Sequence, residues 1–175
     1  MATRPPDCIL VGRHLELRGR RGHAWIRRAV LLVVGLVPLA ALFDVFGQEQ
    51  VTTTVGNDAA VLAVSAPRNL RGGLLFTGRF RVTAKADIGD ARLVLDPDWT
   101  DQMQVNSIVP QPRAQTSRDG RIVLDLGRLA AGRTSLTFIG LQVNPINIGR
   151  RSQGVELDNG ARPLLRIHRS VTIYP

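Results

Sequence analysis

The chain has 175 residues, a net charge of +9 and only 5% aromatic residues. A nucleic-acid-binding protein normally gathers its basic residues into a patch with stacking aromatics, so we expect no nucleic-acid partner. The single cysteine, Cys8, excludes an intramolecular disulfide. A domain of roughly 115 residues can nevertheless be stable through its hydrophobic core alone.

The first predicted element is an apolar helix over residues 29–46, in which Asp44 is the one charged residue. Its 18 residues span roughly 27 Å at a helical rise of about 1.5 Å, close to the hydrocarbon thickness of a bilayer. Seven arginines lie within residues 1–28, whereas no basic residue follows the run until Arg68. Flanking arginines stay on the cytoplasmic side. We therefore expect a single-pass bacterial membrane protein with residues 1–28 as a basic cytoplasmic tail and the C-terminal part outside the cytoplasm.

A cleaved signal peptide is the main alternative, because only residues 29–43 are free of charge and that length also suits the apolar part of a signal. The long basic segment before the run and the lack of an Ala-x-Ala site just after it favour an uncleaved anchor. A third interpretation, a core helix of a soluble protein, leaves the one-sided arginine cluster unexplained. The polar residues 47–58 contain few large apolar groups and are predicted to form a stalk.

From residue 59 to residue 175, apolar residues recur with a period of two, which is typical of half-buried strands. The clearest strand covers residues 74–85, where Phe76, Phe80 and Val82 share one face and Arg79 and Arg81 the other. Further strands are predicted at residues 60–65, 91–95, 103–109, 121–126, 135–143, 154–157 and 165–173.

Two other patterns complete the fold prediction. Within residues 135–143 the apolar phase shifts, so either both faces are covered or a bulge lies near Gly140. Asp-Gly and Asn-Gly pairs at residues 119–120 and 159–160 are typical of tight reversals. Seven or eight short strands without a long amphipathic helix predict an all-β fold, an immunoglobulin-like antiparallel β-sandwich over residues 59–175.

The order of turns and strands carries a resemblance. Residues 119–127 read DGRIVLDLG, a second glycine turn follows at Gly132, and residues 170–175 read SVTIYP. Together with the turn at Gly72 and Gly73, this order resembles bacterial cell-surface immunoglobulin-like domains, in particular the CARDB-type adhesion-related domains and similar wall-protein repeats of unknown function. The resemblance implies a display or interaction module and brings no catalytic residue with it.

Two groups of charged residues are candidate binding sites. Asp96, Asp98 and Asp101 lie within six residues, and calcium prefers several oxygen ligands from one loop. Their spacing lacks the glycine turn and distal glutamate of a recognised calcium loop, so the alternative is that these carboxylates accept hydrogen bonds from turn amides. Trp99, between them, is predicted to cover the edge of the core rather than to stack on a sugar.

The second group comprises four arginines in predicted loops: Arg68, Arg71, Arg150 and Arg151. Such a basic cluster can contact an anionic wall polymer or phospholipid head groups. The alternative is that each is a solvated loop residue.

Signatures of catalysis are missing from the sequence. His168 is the only histidine after the apolar run, and no Gly-x-Ser-x-Gly, His-Glu-x-x-His or phosphate-loop motif is present. We therefore expect no enzymatic activity and no cofactor. The predicted function is that of a membrane-anchored envelope protein with a non-catalytic β-sandwich for protein or envelope interaction, for instance as a subunit of a membrane complex. Its expected partners are the lipid bilayer that holds the anchor and another envelope or membrane protein. The alternative is a secreted or anchored enzyme or metal-dependent binder that uses residues 96–101.

Overall fold

The computed structural model describes residues 21–42 and 49–175. The chain divides into two compact units, residues 1–46 and residues 47–175. Helix α1 (Arg21–Leu42) belongs to the first unit. The second unit, the β-domain, contains thirteen strands within its described residues: β1 (Gln50–Gly56), β2 (Ala60–Pro67), β3 (Asn69–Arg71), β4 (Leu75–Ala84), β5 (Ile88–Leu95), β6 (Met103–Val109), β7 (Ala114–Arg118), β8 (Arg121–Leu129), β9 (Thr134–Val143), β10 (Gly149–Ser152), β11 (Val155–Asn159), β12 (Arg162–Ile167) and β13 (Ser170–Tyr174).

Helix α1 covers most of the predicted apolar span and contains Pro38. Its apolar side chains are exposed; Val30 is 55% exposed, Leu32 63% and Leu39 49%. Within the two described ranges, no helix has both the length and the apolar character required to cross a membrane. The last part of the predicted span, residues 43–46, and most of the predicted tail, residues 1–20, lie outside the described residues.

Three sheets build the β-domain. Two have five strands each, in the orders β1-β2-β4-β9-β6 and β12-β11-β5-β8-β7, and their paired strands are antiparallel. The third has the order β10-β13-β3, in which β13 runs parallel to β3. Residues from all three sheets, among them Phe80, Leu93 and Ile173, share one buried core. The prediction of a mostly antiparallel β-sandwich is therefore confirmed, although with thirteen short strands in three sheets instead of seven or eight.

Strand β4 follows the predicted alternation. Phe76, Phe80 and Val82 are buried, whereas Arg79 and Arg81 are exposed. Burial of a phenylalanine side chain contributes about 1.5 to 3 kcal/mol, so the phase of this strand is strongly determined by its own apolar residues.

The predicted stalk is wrong for most of its length. Gln50–Gly56 form the edge strand β1, which pairs with β2 from Gln50 opposite Pro67 to Gly56 opposite Val61. Three consecutive threonines between two valines suit a half-buried strand even without large apolar residues, because β-branched side chains favour extended backbone. The β-domain therefore begins near residue 50 and not at residue 59.

The predicted irregularity near Gly140 exists, but the extra residue belongs to the neighbouring strand. The register of β6 against β9 shifts between Val105 and Ser107, opposite Gly140. A Cβ atom at Gly140 would lie 2.5 Å from Ser107 Oγ, so a larger residue there would displace the Ser107 side chain. Strand β9 itself alternates throughout, with Phe138 facing outward.

The predicted strand over residues 165–173 is divided between two sheets. Strand β12 ends at Ile167 in a five-stranded sheet, and β13 begins at Ser170 in the three-stranded sheet. Leu165, Ile167 and Val171 are all buried, so the alternation continues while the chain changes sheet. This change of sheet positions the residues between the two strands at the site described next.

Candidate functional site: a basic pocket

A shallow pocket of about 350 Å³ lies on the outer face of the three-stranded sheet. Arg150 of β10 is paired with Thr172 of β13, which is paired in turn with Asn69 of β3. Side chains at directly paired positions point to the same face of a sheet, so these three line the pocket side by side. We call the complete set the basic pocket: Thr53, Arg68, Asn69, Arg150, His168, Arg169, Ser170 and Thr172.

Two of its arginines are held by hydrogen bonds to neutral groups. Arg150 donates from Nε and Nη2 to Ser170 Oγ, at 3.3 and 3.1 Å. Arg169 donates from Nη2 to the backbone carbonyls of Ala66 and Pro67, at 2.9 and 2.8 Å. These bonds fix the guanidinium groups without neutralising them.

The third arginine, Arg68, is exposed at the end of β2. No acidic residue lines the basic pocket, and within residues 21–42 and 49–175 neither Arg68, Arg150 nor Arg169 forms a salt bridge. Clustered charges of one sign raise the local concentration of counter-ions. The pocket therefore offers cationic, hydroxyl and amide donors to an anion.

The floor of the basic pocket rests on the core. The Cζ atom of Arg169 lies 5.5 Å from the ring centroid of Trp99, a cation–π contact. Trp99 is fully buried, donates from Nε1 to the carbonyl of Gly154 at 3.1 Å and packs edge-on against Phe80, with ring centroids 5.2 Å apart. Burial and, to a smaller extent, repulsion from Arg68 lower the pKa of Arg169 to about 10. The group is still protonated at neutral pH, so the pocket stays cationic.

Of the four arginines that the sequence indicated, the structure brings Arg68 and Arg150 together in the basic pocket. Arg71 ends β3 and is paired with Tyr174, two residues beyond Asn69 on the same outer face. It therefore lies beside the pocket and not in its lining.

Arg151 faces away from the basic pocket. It donates to Asn147 Oδ1 at 3.0 Å and to Gln102 Oε1 at 3.3 Å, and its Nη1 lies 4.0 Å from Asp101 Oδ2. Because side chains alternate along a strand, two adjacent arginines on β10 point to opposite faces. The sequence pair Arg150 and Arg151 is thus not one functional unit.

Arg169 was missed by the sequence analysis, although its position carried a signal. It occupies the same phase as the buried residues Ile167 and Val171, where an apolar side chain is expected. A charged residue on the apolar phase of a strand requires a specific structural reason. Here that reason is the pair of backbone carbonyls that it caps and the indole ring beneath it.

The three candidate metal ligands are not brought together. Asp98 Oδ2 accepts a hydrogen bond from the backbone N–H of Ser152 at 2.8 Å, and Asp101 lies on an exposed turn beside Arg151. Among the residues that the structure describes, no group of three or more histidine, cysteine, aspartate or glutamate side chains could hold a metal ion.

Asp96 instead belongs to an ion-pair network on the second five-stranded sheet, formed by Asp96, Arg121, Glu156 and Arg166. Arg121 donates to Asp96 Oδ1 at 3.0 Å and to Glu156 Oε2 at 3.2 Å. Arg166 contacts the same two carboxylates at 3.4 and 3.8 Å. The side chains of Asp96 and Glu156 are only 14% and 16% exposed, so each carboxylate depends on these two cations.

Comparison with known proteins gives structural likeness only. No protein-family model and no curated protein matches the chain, so the CARDB-type resemblance has no family support. The chain is similar to a FixG-related protein from Vibrio parahaemolyticus (13% identity, TM-score 0.39, 68% of this chain and 100% of that chain). It is also similar to a non-cellulosomal cohesin from Archaeoglobus fulgidus (14% identity, TM-score 0.40, 71% and 91%). Similarities at this level do not extend to function.

Proposed function

We propose that this chain is a single-pass membrane-anchored protein of the bacterial cell envelope, with its N-terminus in the cytoplasm and a non-catalytic β-domain that binds an anionic partner. The observation that carries the proposal is the basic pocket. Three guanidinium groups meet there without a carboxylate in the lining, and hydroxyl and amide groups surround them. Such a set of donors suits the binding of an anion.

The anchor is supported by the surface of helix α1. Apolar side chains along it, such as Val33 at 62% and Leu36 at 50%, are exposed in the described unit. Transfer of one such side chain out of water contributes about 1.5 to 3 kcal/mol. Arg27 and Arg28 precede the apolar part and favour retention of that end in the cytoplasm.

The absence of catalysis is proposed from the state of the pocket hydroxyl. Ser170 Oγ accepts hydrogen bonds from Arg150, whereas an activated serine nucleophile donates its proton to a base. His168 lines the same pocket, but its side chain is exposed on the solvent side. Among the described residues no hydrogen bond joins Ser170 Oγ to His168, so the proposal gives this hydroxyl a binding role.

Partner capture tests the proposed binding. Partners that co-purify with the full chain from detergent-solubilised membranes at low salt should be lost in the Arg68→Gln/Arg150→Gln variant. The parent chain should itself lose them as the ionic strength rises, because exposed charges are screened over about 8 Å at physiological salt. The matched control is Arg81→Gln/Arg133→Gln, which removes the same charge from two exposed positions elsewhere. Identical partners for both variants at every salt concentration would contradict the proposal.

Topology is tested separately. Protease added to spheroplasts, with any outer barrier removed, should digest residues 49–175 and spare the tail, and the intact mass should include residues 1–47. A protected β-domain would contradict the orientation, and a chain that starts near residue 48 would establish a cleaved signal. Calcium-dependent stability that disappears in Asp98→Asn would instead favour the metal-dependent alternative at residues 96–101.

A further inference from the structure

The basic pocket is bordered by apolar and aromatic surface. Tyr174 lies two residues beyond Thr172 on the same outer face of β13 and is 50% exposed. Ile148 lies two residues before Arg150, directly before β10, and is 54% exposed. Arg71, paired with Tyr174, adds a further cation at this border.

This combination discriminates between anionic partners. A phosphate in free solution or a wall polymer is bound by cations and hydroxyl groups alone, and an apolar border gains nothing from it. A lipid surface offers both components, phosphate groups and the adjoining apolar boundary. Tyrosine is enriched at that boundary, and an arginine near an anionic leaflet is attracted to it.

Chain connectivity places the basic pocket next to the entry of the β-domain. Gln50, the first residue of β1, is paired with Pro67, which directly precedes Arg68. Because β1 takes the place of the predicted stalk, only seven residues, 43–49, separate Leu42 from Gln50. The eight residue steps from Leu42 to Gln50 span at most about 29 Å when fully extended. This limit is set by chain length for any arrangement of the two units, so a helix anchored in a bilayer would keep Gln50 within reach of the head groups.

We infer that the basic pocket binds the phosphate of an anionic phospholipid, so that the outer face of the three-stranded sheet docks on the membrane in which the chain is anchored. The inference rests on the proposed function and names the partner of that site. Arg68 and Arg150 contact the phosphate, supported by the Thr53 and Thr172 hydroxyls. Tyr174 and Ile148 enter the boundary between head groups and acyl chains.

Hydroxyl-radical footprinting of the full chain in lipid nanodiscs tests this inference. Tyr174 is the only tyrosine, so its modification can be followed by mass spectrometry without substitution. The rate should be several-fold lower in discs with equal parts phosphatidylglycerol and phosphatidylcholine than in pure phosphatidylcholine. Phe138, 37% exposed on the outer face of β9, serves as internal control and should be modified at the same rate in both.

Two variants and one ligand identify the cause of any protection. Arg68→Gln/Arg150→Gln should lose the protection of Tyr174, whereas Arg81→Gln/Arg133→Gln should keep it. Equal rates in the two kinds of disc, or protection that survives loss of the pocket arginines, would overturn the inference. Inorganic phosphate added to neutral discs should leave Tyr174 unprotected. Full protection by phosphate alone would show that the pocket binds a free anion and would also overturn it.

Failure of the anchor is recognised independently. Extraction of the chain from membranes by alkali would overturn the proposed anchor. The lipid inference would then be decided by protection of Tyr174 when anionic vesicles are added to the same chain. Retention in the membrane with unchanged Tyr174 reactivity would overturn the lipid inference alone.

Discussion

Two groups of arginines in the β-domain use the same side chain in opposite ways. In the ion-pair network, Arg121 and Arg166 each contact the two half-buried carboxylates of Asp96 and Glu156. In the basic pocket, Arg150 and Arg169 donate only to a hydroxyl and to backbone carbonyls. The network uses its charge internally, whereas the pocket leaves its charge available to a ligand.

The difference shows why the composition of a basic domain says little about its function. Residues 48–175 contain modestly more arginines than acidic residues, yet this excess of arginine is not spread evenly. Where a carboxylate is present, the cation stabilises the fold or is neutral to it. Where none is present, the cation repels its neighbours and its charge is not compensated within the fold, which is the basis of the proposed binding of an anion.

The sharpest test within the pocket is Arg169, which we expect to be structural despite its position. Arg169→Met should lower the free energy of unfolding by about 2 to 4 kcal/mol, because two buried carbonyls lose a charged donor and Trp99 loses its cation. Denaturant titration of the detergent-solubilised chain measures this. Arg162→Met, an exposed position on β12, is the control and should change stability by under about 0.5 kcal/mol. Equal losses of stability for both variants would show that Arg169 has no special structural role.

In the network, Arg121→Gln should cost about 1 to 3 kcal/mol, because Asp96 and Glu156 lose the cation that bridges them. Arg118→Gln in the same hairpin is the control, since its contact with Asp119 is almost fully exposed. A double-mutant cycle with Glu156→Gln separates the pairwise coupling from the loss of the side chain. Additive effects in that cycle would show that Arg121 and Glu156 contribute to stability independently.

An acidic residue, Asp158, provides the converse test. Its substitution is expected to change stability by less than the substitutions of Arg169 and Arg121, and in the opposite direction. Burial and, next, the charge of Glu156 raise the pKa of Asp158, and its Oδ1 has no hydrogen-bond partner among the described residues. The folded state therefore binds a proton more tightly than the unfolded state, so stability falls as pH rises above the ordinary value of 3.8. Asp158→Asn should raise the melting temperature at neutral pH, with the gain vanishing below pH 3.8. A pH-independent gain, or a loss at neutral pH, would contradict this.

The smallest change in stability is expected for Arg150→Gln. Removal of an exposed cation without a carboxylate partner should alter the free energy of unfolding by under about 0.5 kcal/mol, while protection of Tyr174 by anionic lipid falls. Denaturant titration and footprinting of the same sample measure both quantities. A large loss of stability would show that Arg150, like Arg169, has a structural role.

For most core strands, the buried face could be predicted because large apolar side chains mark it in the sequence. In β4, Phe80 and Arg81 cannot exchange faces without burying a charge. Strand β1 was missed because three threonines indicate a polar segment as readily as an edge strand, and only its pairing with β2 decides between the two.

The site was less predictable than the fold. Arg68 and Arg150 are far apart in the sequence and meet because β3 and β10 flank β13 in one sheet. That sheet order depends on the change of sheet after Ile167, which a period-two pattern does not reveal. Arg169, which the pattern of loop arginines did not indicate, still carried a local signal because it lies on the apolar phase of its segment.

Trp99 has a practical consequence. Its ring lies beneath the guanidinium of Arg169 and against Phe80, so any ligand that moves Arg169 changes the electric field at the indole. The chain has two tryptophans, and the other, Trp25, is exposed on helix α1. In a Trp25→Phe background, the emission wavelength of Trp99 would be an intrinsic optical reporter of pocket occupancy, usable in lipid titrations without a dye or label.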